Sequence, residues 1–143
     1  MSNIKRYDPL SSEDLLANQE LNQRFVDGMC QKNIEQVMSC IWDSPDFIFV
    51  ATDGTVFLGS DSFRKTIEEW FVQFESLHCV IDEIKHIPAG DSVFAVGTAT
   101  YELKPKDGSL QKLRERWTDV RQKIGGRWIY VLDHAHALTT PDQ

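Results

Sequence analysis

The chain has 143 residues, 41% of them hydrophobic and 26% charged, which fits one folded domain and excludes a disordered or low-complexity protein. Its 15 Lys and Arg residues against 22 Asp and Glu give a net charge of −7 without a basic cluster, which argues against nucleic acid and membrane surfaces as partners. Three widely spaced cysteines, a polar N-terminus and no membrane-length apolar run predict a cytoplasmic protein without a disulfide framework.

Apolar residues at spacings of three and four predict three helices in the first half of the chain. The first helix runs to about Lys32, the second stops before Pro45, and the third carries its apolar residues to Phe74. Each helix follows a side chain that can accept hydrogen bonds from its first turn. The expected capping residues are Ser11-Ser12, then Asn33, then Ser60 or Asp61.

Strand-forming segments separated by turn residues make up the rest of the sequence. Asp53-Gly54 and Gly125-Gly126 each predict a tight hairpin turn. The order of elements predicts an α+β domain over residues 12–138, with helices on one face of a curved antiparallel sheet, between an N-terminal lead (1–11) and a C-terminal tail (139–143). The expected strands are residues 46–51, 55–58, 77–87, 92–103, 110–123 and 127–138.

Four segments give the sequence a family resemblance: residues 31–35, 53–59, 92–96 and 125–134. Through them the chain resembles the NTF2-like superfamily, which includes nuclear transport factor 2, ketosteroid isomerase and the SnoaL-like polyketide cyclases, over roughly residues 12–138. The resemblance implies a cone in which three helices pack on the concave face of the sheet and enclose a ligand cavity. It implies no single activity, because the family contains both enzymes and non-catalytic binders.

The catalytic residues of ketosteroid isomerase have no counterparts in this sequence. By position, that enzyme's oxyanion-hole tyrosine corresponds to Phe25, its general-base aspartate to a residue near Val50, and its protonated aspartate to a residue near Thr118. Phe25 and Val50 cannot transfer a proton, and a threonine hydroxyl is a far weaker acid than a carboxyl group. Steroid isomerisation by that mechanism is therefore not expected.

The last hairpin predicts which side chains share a face of the sheet. If Gly125-Gly126 is a two-residue turn, Ile124 pairs with Arg127 and the two strands alternate from there. The mostly aliphatic face, with three polar residues near its end, is expected to line the cavity. This inner face carries Arg116, Thr118, Val120, Ile129, Val131, Asp133 and Ala135, and the outer face carries Trp117, Asp119, Arg121, Trp128, Tyr130, Leu132, His134 and His136.

These positions predict the catalytic and ligand-binding residues. Asp133 is expected to act as general acid or base while Arg116 stabilises an anion, and the alternative is a purely structural ion pair between them. A change of register by one residue would put His134 in the cavity in place of Asp133, so His134 is a further catalytic candidate. The expected ligand contacts are Phe25, Trp42, Trp70, Phe74, Thr98, Thr100, Thr118 and Val131.

The outer face would expose a large aromatic patch that includes Trp117, Trp128 and Tyr130, which monomers seldom tolerate. Since the family often dimerises through this face, a homodimer is expected, and the alternative is a monomer whose aromatics lie under long Arg and Lys stems. His134 and His136 have a spacing seen in metal sites but no third ligand, so no metal is expected.

Two hypotheses for function follow from this reading. The first is a SnoaL-like protein that binds a small apolar or weakly acidic molecule and carries out acid/base chemistry of the isomerase, cyclase or dehydratase type. No nucleotide, flavin or nicotinamide motif is present, so no cofactor is expected. The alternative is a non-catalytic ligand-binding or assembly module of the same fold. Only the enzyme requires a titratable group in the cavity.

Overall fold

A computed structural model describes residues 10–138 of the chain, so most of the expected N-terminal lead and the whole C-terminal tail lie outside the described residues. The α+β class and the order of elements predicted from the sequence are confirmed. In chain order the elements are α1 (Ser12–Cys30), α2 (Ile34–Met38), β1 (Ile48–Val50), β2 (Val56–Leu58), α3 (Ser60–Gln73), β3 (Phe74–Ala89), β4 (Ser92–Pro105), β5 (Gln111–Ile124) and β6 (Arg127–Ala137).

Two of the three expected helix caps are present. Ser11 and Asn33 each accept a hydrogen bond from a backbone amide in the first turn of the following helix, both at 3.1 Å. The prediction for α3 is wrong, because its N-cap is Gly59, whose φ of 91° suits a residue without a side chain. The Ser60 hydroxyl donates instead to Asp43 at 3.2 Å, which ties the start of α3 to the segment before β1.

The six strands form one curved sheet in the order β2-β1-β6-β5-β4-β3. Neighbouring strands are antiparallel except for β1 and β6, which are parallel. Helix α1 packs on β3 and β6, and α3 contacts β2 and β3, so the helices cover the concave face of the sheet. The core between them consists of Leu21, Met29, Val37, Cys40, Ile41, Phe47, Phe49, Ala51, Phe63, Ile67 and Tyr130. Within residues 10–138 no helix has the length and apolar character needed to cross a bilayer.

The hairpin between β5 and β6 begins in the predicted register and then departs from it. Ile124 pairs with Arg127, and the ladder continues to the pair formed by Arg121 and Tyr130. Val131 is then an extra residue in β6, a β-bulge that shifts every later pair by one position. The bulge lies where β6 changes neighbour, because the backbone of residues 40–42 bonds to β6 at Tyr130 whereas β1 pairs with β6 from Leu132 onward.

The face assignment made from the sequence is wrong on β5 and on the part of β6 before the bulge, where Trp128 and Tyr130 lie on the side of the helices. Trp117, Asp119 and Arg121 point to the concave side, and the last two are 2% and 0% exposed, whereas Arg116 is exposed on the convex side. Aliphatic character is not a reliable sign of the buried face here, because the buried face carries large aromatic side chains and an ion pair whose charges satisfy each other. Asp133 still reaches the concave side, since the bulge reverses the alternation of β6 after Val131.

Candidate functional site

A cavity of about 240 Å³ lies between α1, α3 and the concave face of the sheet. Its walls are mainly aromatic and aliphatic side chains. An adjoining compartment of about 50 Å³ lies between α1 and strands β3 to β6, and its lining includes polar groups. Four residues line both spaces and mark their junction: Phe25, Tyr101, Glu115 and Asp133. The apolar wall of the larger space is formed by Met29, Phe49, Phe63, Ile67, Trp70, Phe74, Leu77, Leu103, Leu113 and Ala135.

Burial raises the pKa values of the two carboxyl groups at the junction, those of Glu115 and Asp133. Burial raises the pKa of Glu115 to about 7, against a smaller lowering by the neighbouring Tyr101 hydroxyl. Burial also raises the pKa of Asp133 well above its usual range, and the nearby carboxylates of Asp119 and Glu115 raise it further. Near neutral pH, Glu115 therefore exchanges between its two forms, and the environment of Asp133 favours the neutral carboxyl group over the carboxylate.

Asp119 and Arg121 form a buried ion pair beneath this junction, with side chains 1% and 0% exposed. The guanidinium donates from Nε to Asp119 Oδ1 at 2.9 Å and from Nη2 to Oδ2 at 2.8 Å. Trp117 Nε1 also donates to Asp119 Oδ2 at 2.9 Å, and the remaining Arg121 nitrogen reaches the Asn18 carbonyl at 3.3 Å. Both charges are thus satisfied within the protein.

Tyr130 is held by a second set of contacts next to the ion pair. Its hydroxyl donates to Asn22 Oδ1 at 3.1 Å, and the Arg121 guanidinium lies 4.9 Å from the centre of its ring. Asn22 Nδ2 is 3.2 Å from His86 Nε2. Burial, together with the charge of Arg121, lowers the pKa of His86, so its neutral ring accepts this hydrogen bond.

The residues expected at the site fall into three groups. Asp133, Phe25, Trp70 and Phe74 line the cavity. Trp42 packs against the hydrophobic core instead, and Val131 is the extra residue of the bulge. Five others share the convex side of the sheet because the face assignment was inverted or, for the histidine, because of the bulge: Thr98, Thr100, Arg116, Thr118 and His134.

The predicted ion pair between Arg116 and Asp133 is therefore wrong. Arg116 pairs with His136 on the ladder and lies on the convex side of the sheet, whereas the Asp133 side chain points to the concave side. Asp119 takes the position opposite Asp133 that was expected for Thr118, so a carboxylate rather than a hydroxyl faces the candidate acid.

Sequence reasoning missed the polar residues that surround Asp133. Glu115 and Tyr101 were not singled out, and Asp119, Arg121 and Tyr130 were assigned to the outer face. One sequence signal pointed to the correct face, namely Gly97 in the middle of β4, opposite Trp117. A Cβ atom at position 97 would lie 2.4 Å from the Trp117 ring, so the glycine makes room for an indole that crosses the concave face.

The part of the chain that the structure describes has no group of three or more His, Cys, Asp or Glu side chains arranged to hold a metal ion. The charged side chains that line the two compartments are all carboxyl groups, and one of them, Asp119, is paired with the buried Arg121. What this arrangement offers a bound molecule is proton donors and acceptors inside an apolar wall.

Comparison with known proteins identifies the family. The SnoaL-like domain matches residues 19–137. This chain belongs to the SnoaL-like family. No curated protein matches this SnoaL-like sequence.

Solved structures with the NTF2-like fold superpose on most of this SnoaL-like chain. A candidate aromatic ring hydroxylase from Novosphingobium aromaticivorans gives a TM-score of 0.83 at 17% identity, covering 92% of this chain and 94% of that one. A candidate dehydratase from Streptomyces avermitilis gives 0.80 at 16% identity, with 90% and 98% covered. A candidate scytalone dehydratase from Novosphingobium aromaticivorans gives 0.81 at 14% identity, with 92% and 88% covered. At these identities the likeness shows the fold alone.

Proposed function

We propose that this SnoaL-like protein is a cofactor-free enzyme that binds a small molecule in its cavity and moves protons with Glu115 and Asp133. The observation that carries the proposal is that both carboxyl groups line both compartments. Burial raises the pKa of both groups, that of Glu115 to about 7, so a proton is available at the site near neutral pH. Two titratable groups that face the same bound molecule can supply the base and the acid of a proton-transfer reaction.

Each carboxyl group has a separate role in this scheme. Ionised Glu115 removes a proton from a carbon next to a carbonyl group, and the protonated Asp133 donates a hydrogen bond to the oxygen on which negative charge develops. Return of the proton by Glu115 to another carbon completes an isomerisation. In a dehydration, Asp133 instead gives its proton to the departing hydroxyl, which leaves as water, and solvent then restores both carboxyl groups.

The names of two similar structures support the reaction class, since both are candidate dehydratases of the same fold. The predicted catalytic role of Asp133 is kept in this proposal, whereas Glu115 replaces Arg116 and His134. Of the predicted ligand contacts, the proposal keeps Phe25, Trp70 and Phe74. These three contribute aromatic surface for the body of the ligand.

Deuterium incorporation at carbon 2 of 1-indanone, a small ketone with slowly exchanging hydrogens, tests the proposal. We expect the protein to accelerate exchange, Glu115→Gln to reduce the rate at least ~100-fold, and Asp133→Asn to reduce it at least ~10-fold. The matched control is Glu83→Gln, because Glu83 is exposed on the convex side of the sheet. Exchange should rise with pH until Glu115 is ionised, near pH 7.

Binding of the ketone without exchange above the level of Glu115→Gln would contradict the enzyme and favour the alternative, a ligand-binding module. In that case the same cavity would hold its ligand through shape and apolar contact alone. Calorimetric titration with 1-indanone, run beside the exchange measurement, distinguishes an enzyme from a ligand-binding module.

Residues 12–138 are proposed to act as one domain in the cytoplasm, as a homodimer through the convex face of the sheet. The aromatic residues first expected to form the interface, Trp117, Trp128 and Tyr130, are partly or fully buried, and Trp117 and Tyr130 line the smaller compartment. The convex face instead exposes Val80, Phe94 and Val96, at 47%, 43% and 38%. Phe94 and Val96 are two residues apart on the same face of β4, and exposed apolar side chains that adjoin in this way favour a covered surface.

A further inference from the structure

We infer that the cavity selects an uncharged molecule of one or two rings that carries a carbonyl or hydroxyl group, and that it rejects carboxylates. The ring system would occupy the larger compartment, with its oxygen at the junction beside Glu115, Asp133 and Tyr101. This inference rests on the proposed function, because it concerns the ligand of the same site.

The charges around the junction exclude an anion. Glu115, Asp119 and Asp133 contribute three carboxyl groups, and within residues 10–138 Arg121 is the one basic side chain that forms a salt bridge with any of them. Its Nε and Nη2 atoms are bound to Asp119, its Nη1 atom to Asn18, and its side chain is 0% exposed. A carboxylate entering the cavity would lose water and find no free cation in exchange.

Basic side chains around the cavity do not change this conclusion. Among the described residues that line the two compartments there is no lysine, arginine or histidine. Lys32 comes near, but its Nζ atom donates to the backbone carbonyl of Phe74. That contact keeps the ammonium group on the backbone at the start of β3 rather than on a ligand.

The polar groups at the junction suit a neutral oxygen. Asp133 lines both compartments, and its neutral form, which burial favours by raising its pKa, offers an O–H donor. Tyr101, whose pKa is raised by burial and by Glu115, offers a second. Glu115 in its ionised form can accept a hydrogen bond from a ligand hydroxyl. A carbonyl or hydroxyl group can thus be satisfied on entry, which offsets the loss of its water.

The size of the space limits the ligand body. An engineered cavity of about 150 Å³ in another protein holds one benzene molecule, so the larger compartment, at about 240 Å³, has room for one ring or two fused rings. The smaller compartment, at about 50 Å³, has room for a polar substituent or a few waters but not for a ring.

The experiment compares two ligands with the same ring system, 1-indanone and indane-1-carboxylate, by calorimetric titration of the full chain at pH 7.5. We expect the carboxylate to bind at least ~30-fold more weakly than the ketone, because an unpaired buried charge is costly. Glu115→Gln should narrow this ratio at least ~3-fold, since it removes one negative charge from the junction. The matched variant Glu83→Gln, on the convex side, should leave the ratio unchanged.

Equal or tighter binding of the carboxylate would overturn the inference and leave the proposed proton chemistry standing, because exchange on 1-indanone is measured separately. Failure of both ligands to bind would overturn the ring size assigned to the larger compartment. Selective binding of the ketone without proton exchange would support the inference while contradicting the proposed function.

Discussion

Glu115 shows how a single buried carboxyl group links stability to pH. Its pKa is about 7 in the folded protein because burial disfavours its charge, whereas an unfolded glutamate has a pKa of about 4.3. The folded state therefore holds this proton more tightly, so the stabilisation is complete below pH ~4 and is lost as the pH rises through 7. Glutamine keeps the shape of the side chain and cannot ionise.

We therefore predict that Glu115→Gln gains about 2–4 kcal/mol of unfolding free energy relative to the parent protein between pH 4 and pH 8. Urea denaturation at both pH values measures the difference. The exposed Glu83→Gln variant should show no comparable change. A difference between Glu115→Gln and the parent that stays constant with pH would mean that Glu115 is well solvated.

The buried ion pair gives a second prediction for single residues. Asp119→Asn removes the partner of a guanidinium that is 0% exposed, so it should destabilise the fold by about 3–5 kcal/mol. The double variant Asp119→Asn, Arg121→Gln should cost less than the sum of the two single changes, because no charge is left unpaired. Chemical denaturation of the four proteins measures this coupling, and additive costs would show that the two side chains do not interact.

Strands β4 and β5 depend on one close approach, at Gly97. An added Cβ would meet the Trp117 ring at 2.4 Å and the backbone oxygen of Glu83 at 2.5 Å, and a backbone atom cannot move aside cheaply. Gly97→Ala should therefore destabilise the protein by about 1–3 kcal/mol. The control is Gly108→Ala, where the nearest atoms lie at an ordinary 3.5 Å. Equal melting temperatures for the two variants would contradict the packing described for Trp117.

The bulge in β6 explains why the strand register could be predicted only in part. The two glycines of the last turn specify the pairing from Ile124 to Arg121, since that information is local. The shift at Val131 arises where β6 exchanges its contact with residues 40–42 for pairing with β1, about 80 residues earlier in the chain. The sequence of the β5–β6 hairpin therefore could not predict the shift, which depends on a contact with a distant segment.

At the scale of the whole molecule, the exposed apolar residues of the convex face lead us to predict a homodimer in solution. The protein should have twice the 16.4 kDa mass of one chain by light scattering at micromolar concentration. Phe94→Lys places a charge in the exposed apolar patch and should shift the mass towards one chain. The control is Val72→Lys, on α3 away from the sheet, where the valine is 68% exposed. A parent protein with the mass of one chain would contradict the dimer.

The elements, two helix caps, both glycine turns and the α+β class could be predicted from the sequence, because each depends on neighbours within a few residues or on alternation along one segment. The cone was implied by the resemblance to the NTF2-like superfamily. The buried face of β5 and the residues around Asp133 follow instead from contacts between distant segments. Both depend on a bulge set by distant strands and on the mutual satisfaction of Asp119 and Arg121. The protonation of Glu115 and Asp133 likewise depends on the tertiary structure, since burial and neighbouring charges exist only after the sheet and helices meet.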